Sequence, residues 1–212
     1  MKKIIFIILL LSSSFVFAEI SDEVKQLQYE WAEIKYSTPE KEQEKKYESL
    51  VKTAEALVAK LPNDVNAIIW EGIIRSTYAG AKGGLSALGQ VKKAKASFEH
   101  AIEINPVALN GSAYTSLGSL YYQVPGWPIS FGDSEKAEEM LQKGLETNPD
   151  GLDSNFFYGD YLKSEGKYAD SLAALEKAMK APARPDRELA DQGRKKEVEL
   201  EIAEVKKMLK KE

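Results

Sequence analysis

Arg184, Arg187 and Arg194 are the cations whose spacing could grip an anion. A guanidinium offers paired donors that match a carboxylate. The segment Ala183-Arg184-Pro185-Asp186-Arg187 is stiffened by Pro182 and Pro185, because proline fixes its own backbone angle. Asp186, Glu188 and Asp191 lie beside these arginines, so internal salt bridging is the plainer expectation. A second group is aromatic. Trp127 and Phe131 sit in the run Val124-Pro125-Gly126-Trp127-Pro128-Ile129-Ser130-Phe131-Gly132-Asp133. Rings held between prolines either fold back as padding or rim a groove and offer aromatic surface, the commonest kind of binding hot spot. Tyr122, Asn155 and Tyr161 are expected beside them at the groove, whereas Tyr114, Tyr121 and Tyr158 are expected in the core.

Other chemistries are short of residues. The single histidine, His100, follows Phe98-Glu99 on a helical pattern with no nucleophile near it in sequence, so a surface or half-buried role is expected. With one histidine and no cysteine, the usual zinc ligand sets cannot be assembled. Asp150-Gly151-Leu152-Asp153 has too few spaced oxygens for a calcium loop, and Asp150 or Asp153 is expected to cap a helix. Residues 80–89 are glycine-rich but lack the glycine–lysine–hydroxyl ending of a phosphate loop, and are read as a flexible connection or a helix start. The sequence thus predicts no catalytic set, no cofactor and no metal.

The 212 residues, 43% hydrophobic and 29% charged, suit one domain. Lys2 and Lys3, the apolar run 4–11 and the small residues ending at Ala18 read as a signal peptide, residues 1–18, cleaved after Ala18. The run is shorter than the roughly 20 residues of a membrane span. A lipid anchor at the cleavage site would need a cysteine, so a free periplasmic or secreted protein is expected. Removing the signal takes the formal charge from −4 to about −6, which disfavours duplex nucleic acid as a partner.

These candidates need a scaffold, and a recurring pattern supplies one. Ala94, Phe98, Ala101 and Pro106 stand at offsets 0, 4, 7 and 12, as do Ala137, Leu141, Gly144 and Pro149. Ser171, Leu175 and Ala178 repeat the first three, with Pro182 one position early. The first three of each set share a helix face, and the proline ends the helix. A preceding helix carries glycine among large residues: Trp70, Gly72 and Ile73; Tyr114, Leu117, Gly118 and Tyr121; Phe156, Tyr158, Gly159 and Leu162. Glycine admits a neighbouring helix closely while the large side chains fill the flanks. Such hairpins must stack to bury their apolar faces, which predicts an all-α, antiparallel helix-hairpin solenoid. Repeats are expected at about 64–106, 107–149 and 150–183.

The set Tyr114, Leu117, Gly118, Tyr121, Ala137, Leu141, Gly144 and Pro149 resembles the tetratricopeptide repeat, as does Tyr158-Gly159 followed by Gly166, Tyr168, Ser171, Leu175 and Ala178. Pro62 to Pro106 and Pro106 to Pro149 are 44 and 43 residues apart, against the usual ~34. The extra residues fall between the two helices of each repeat, and inserts at matching points leave a solenoid on one edge. Phe131-Gly132-Asp133 followed by Lys136-Ala137-Glu138 is similar to the T component of tripartite ATP-independent periplasmic (TRAP) transporters. That resemblance implies a helical periplasmic protein associating with a substrate-binding protein.

The flanks fit. Residues 24–36 and 40–60 read as two leading helices, the first capped by Ser21 or Asp22. Residues 187–211 read as a polar capping helix, interrupted near Gly193, with Val198, Ile202, Val205 and Leu209 as its apolar stripe. The expected function is non-catalytic protein binding or scaffolding. A small apolar-ligand carrier, its cavity rimmed by the Trp127 loop, is the alternative.

Overall fold

The computed structural model describes residues 20–211, so the expected signal segment, 1–18, lies outside the described residues. Among the described residues there are nine α-helices and no β-strand. They are α1 (Asp22–Ser37), α2 (Glu40–Lys60), α3 (Val65–Lys82), α4 (Leu88–Ile104), α5 (Ser112–Gln123), α6 (Ser134–Thr147), α7 (Leu152–Ser164), α8 (Tyr168–Met179) and α9 (Glu188–Leu209). Among them, no helix is long and apolar enough to cross a membrane. Helix starts follow local chemistry. Ser21 accepts from the Val24 amide, Asp64 from those of Asn66 and Ala67, and Asp133 from that of Lys136, each relieving an amide left free in the first turn.

The repeat is a glycine-to-large-residue contact used three times. A Cβ placed on Gly72 would lie 2.5 Å from the Phe98 ring, one on Gly118 2.7 Å from Leu141 Cγ, and one on Gly159 2.8 Å from Leu175 Cγ. Alanine at any of these positions would force two helices apart. The facing sets are Ala94, Phe98 and Ala101; Ala137, Leu141 and Gly144; and Ser171, Leu175 and Ala178. All are buried. The hairpins α3–α4, α5–α6 and α7–α8 therefore share one packing rule, and each stacks on the next through α4 with α5 and α6 with α7. This is the helix-hairpin solenoid expected from the pattern.

The odd-numbered helices also touch in succession, from α1 to α3, α5, α7 and α9. They form one continuous row. Helix α9 additionally touches α1, so the two ends of the row meet. Gly193 lies at that meeting. The expected interruption there is not found, and α9 is continuous. Glycine is needed because the Tyr36 ring lies 2.3 Å from where its Cβ would be. Tyr36 also hydrogen-bonds Glu197, and Lys35 lies 3.4 Å from the same carboxylate. Ala190 joins the apolar cluster of α1–α3, while Val198 and Val205 belong to that of α7–α9. One helix thus ties the first elements to the last.

Other expectations change too. Asp150 and Asp153 do not cap α7, whose N-cap is Gly151 without a side-chain bond; Asp153 lies inside the first turn and is drawn to arginines. Residues 80–89 take the helix-start alternative, since α4 begins within them. Helix α3 runs to Lys82, Gly83 and Gly84 turn the chain at φ of 67° and 62°, and a 3-10 turn at Leu85–Ala87 leads into α4. Positive φ is cheap for glycine, which is why the pair stands at this corner.

Candidate binding surface

The second insert, residues 124–133, is built on its own backbone. The Gly132 amide donates to the Pro125 carbonyl at 3.0 Å, and the Asp133 amide to that of Tyr121 at 2.9 Å. At the tip, the amides of Ile129 and Ser130 both donate to the Gly126 carbonyl. A Cβ on Gly132 would lie 1.9 Å from the Val124 carbonyl oxygen, so only glycine lets the two legs of the loop meet. Phe131 folds back edge-on to Tyr121, with ring centres 5.8 Å apart. Lys95 Nζ lies over both rings and Lys136 Nζ over Tyr121, all within 6 Å, close enough for cation–π attraction. With its base fixed in this way, the loop holds Trp127 90% exposed and Ile129 54% exposed.

The first insert also presents an apolar side chain to water. Leu85 is 74% exposed. Just behind it, Ala87, Leu88 and Val91 pack in the apolar cluster that also holds Tyr121, Val124 and Phe131. Both inserts thus connect to residues of one extended apolar cluster. Of the two fates weighed for the aromatic pair, Phe131 takes the padding role and Trp127 faces water.

Two of the three arginines, Arg184 and Arg194, grip a carboxylate of their own chain. Asp153 receives Arg184 Nη1 at 2.6 Å and Arg194 Nε at 2.9 Å. Arg184 also holds Asp191 through its backbone amide and its Nε, and Arg194 reaches Glu197. Burial resists charge on Asp153, but Arg184 and Arg194 outweigh it and hold the carboxyl well below the usual range. Arg194 lies over the rings of Phe156 and Phe157, and Arg187 over Trp70 at 4.9 Å. Burial first, and Arg184 second, push the Arg187 guanidinium down to about 10. Asp191 was among the expected salt-bridge partners. Asp153 is the one sequence spacing did not reveal, since it comes from α7, far back along the chain.

Two expected groove residues are largely buried, although Asn155 does line an open groove between α6, α7 and α8. Asn155 is 3% exposed, and its amide donates to the carbonyls of Pro149 and Gly151, both at 2.8 Å. Tyr161 is 2% exposed, packed edge-on to Tyr122 with its hydroxyl near Ser134. Tyr122 is half-buried and donates to Asp160 at 2.7 Å. Among the residues expected in the core, Tyr121 is buried, but Tyr114 and Tyr158 are only half-buried. His100 is exposed, 3.7 Å from Glu103. A polar knot that sequence reasoning missed joins α7 to α9. Lys163 lies 3.3 Å from Asp160 and 2.6 Å from Glu201. Burial and the neighbouring Asp160 raise the Glu201 pKa. An open groove of about 450 Å³ between α6, α7 and α8 is lined by Leu145, Tyr158, Leu162 and Ala174, and one of about 340 Å³ lies between α1 and α2; neither includes Trp127.

A tetratricopeptide repeat family model matches residues 85–107, a stretch that begins at the exposed leucine and covers α4. Among solved structures, a thermophilic TPR protein in Thermus thermophilus is similar at 18% identity, with 87% of this chain and 91% of that one covered and a TM-score of 0.56. MamA is similar at 17% identity, with 81% of this chain and 94% of that one covered and a TM-score of 0.47. The first likeness agrees with the all-α repeat fold. Curated proteins yield no sequence match.

Proposed function

We propose that this chain is an exported, non-catalytic protein-binding module that docks its partner on the edge formed by its two inserts. The observation that carries this reading is Trp127, 90% exposed on a loop tied down by its own backbone. Leaving a tryptophan in water forgoes about 2 kcal/mol or more of burial. A loop already ordered also has little entropy left to lose on binding. Repeat scaffolds of this type present extended surfaces to partners.

The finer assignment rests on resemblance. We place the protein in the periplasm as an accessory of a transport system, with a substrate-binding protein as its partner, from Phe131-Gly132-Asp133 and the leader-like first residues. The apolar-ligand carrier is the weaker reading, because the grooves described above are open and lie away from Trp127.

The test is affinity capture with the tagged protein. Trp127→Ala should lose the partner. Leu200→Ala, at a leucine 61% exposed on α9, should keep it. Equal capture by both would remove the insert edge from the account.

A further inference from the structure

Helix α9 is held by two ion clusters of different kinds. Its first half is fixed by Arg184 and Arg194 on Asp153 and Asp191, and by Lys35 and Tyr36 of α1 on Glu197. Arginine keeps its charge at any ordinary pH, so this half has fixed cations. The second half meets two carboxyls and one lysine. Lys163 of α7 lies 2.6 Å from Glu201, 3.3 Å from Asp160 and 3.7 Å from Glu204. The Tyr122 hydroxyl of α5 donates to Asp160 at 2.7 Å. Glu201 is 7% exposed and Asp160 is half-buried, whereas Glu204 is mostly in water. Neighbouring charges are engaged elsewhere. Glu197, one turn before Glu201, is met by Lys35 and Arg194, and Lys206 lies 3.5 Å from Glu176 of α8. One lysine thus faces two carboxyls withdrawn from water, and like charges so placed resist ionising together.

We propose that Asp160, Lys163, Glu201 and Tyr122 form a proton-sensitive latch, which holds the second half of α9 on α7 while one proton is shared between the two carboxyls and loosens when that proton leaves for solvent. The roles follow from the bonds. Burial resists charge on Asp160, but the bonds from Glu201 and Tyr122 outweigh it and lower its pKa. Burial first, and Asp160 second, push the Glu201 carboxyl up to about 7. Burial also opposes the Lys163 charge, yet Glu201 and Asp160 outweigh it. Burial and Asp160 both keep the proton on the Tyr122 hydroxyl. Asp160 is therefore the anion and Glu201 the group that titrates near neutrality. Because its pKa is raised in the fold, its contribution is complete below the ordinary glutamate value of about 4 and is lost as pH rises through about 7. Above that pH, Lys163 alone faces two anions, and this half of α9 loses its polar hold. Opening uncovers Val205, with Ile202 and Leu209 beside it, from the apolar cluster of α7–α9.

The experiment follows amide exchange in the full chain, each rate divided by that of an unstructured peptide at the same pH. Between about pH 6 and pH 8, protection of residues 198–209 should fall about tenfold, while that of residues 188–197 holds. Glu201→Gln is neutral at every pH and still able to bond Asp160, so its protection of residues 198–209 should stay level. Carbon NMR of the wild-type Glu201 carboxyl should give a titration midpoint of about 7. A midpoint near the ordinary value of about 4, or level protection in wild type, overturns the latch. So does a Glu201→Gln variant whose protection falls as steeply as that of wild type, or a loss spread evenly along α9. If Glu201→Gln does not fold, the wild-type midpoint and exchange profile decide alone.

Discussion

The insert edge and the α9 junction treat the same residue types in opposite ways. At the junction, Arg184, Arg194 and Asp153 are drawn into one network, and Arg187 and Arg194 lie over aromatic rings. At the edge, a tryptophan and an isoleucine are held out in water by a loop closed through its own backbone hydrogen bonds, and Leu85 projects from the first insert. The junction spends its polar groups on closing the row of helices from α1 to α9. The edge spends backbone hydrogen bonds on keeping apolar tips in place. The difference teaches that the charge cluster at the junction is structural, while the proposed docking relies on the exposed apolar groups of the edge.

Substitutions at the junction should therefore cost the most stability, and substitutions at the edge the least. Asp153→Asn is expected to have the largest effect, a loss of about 2 kcal/mol by chemical denaturation. It leaves two guanidiniums short of a charge, discounted because Asp153 is a third exposed. The same carboxyl predicts a pH dependence. Its pKa is depressed in the fold, so its contribution is complete above the ordinary aspartate value of about 4 and is lost as pH falls below it. Thermal melts of Asp153→Asn should accordingly show a flatter acid limb than wild type. Next comes Gly193→Ala, about 1.5 kcal/mol, because the Tyr36 ring, packed edge-on to Trp31, must shift to admit the methyl although alanine favours helix. A gain in stability there would break the claim that α9 closes on α1. Gly132→Ala should cost about 1 kcal/mol, yet weaken partner capture about tenfold, since the Trp127 loop can no longer close. The smallest effect is that of Trp127→Ala on stability, within about 0.5 kcal/mol; a larger loss in melts would mean that the ring is structural.

The repeats were legible because each writes the same local signal, a glycine in one helix and a large residue flanked by small ones in the next. Phe98, Leu141 and Leu175 could be picked out by offset alone. The junction was not legible, because local rules mislead there. Gly193 looks like a helix breaker until Tyr36 is seen against it, and Asp153 looks like a cap until Arg184 and Arg194 arrive from another element. Asn155 and Tyr161 were expected at a groove because polar and aromatic residues on first helices often line one. Asn155 does line one, with its amide held by two backbone carbonyls, whereas the α5–α7 contact buries Tyr161. The fate of Trp127 could not be read from its own segment, since padding and projection use the same residues. What separates them is Gly132, whose missing side chain lets the loop close under Phe131 and leaves Trp127 outside.

Hydrogen–deuterium exchange on the protein alone and with its captured partner tests the central claim most directly. In the free protein the Gly132 and Asp133 amides should exchange slowly, and partner binding should add protection at residues 83–95 and 124–133. Fast exchange at Gly132 without partner, or new protection confined to α1, α7 and α9, would contradict a preformed binding edge.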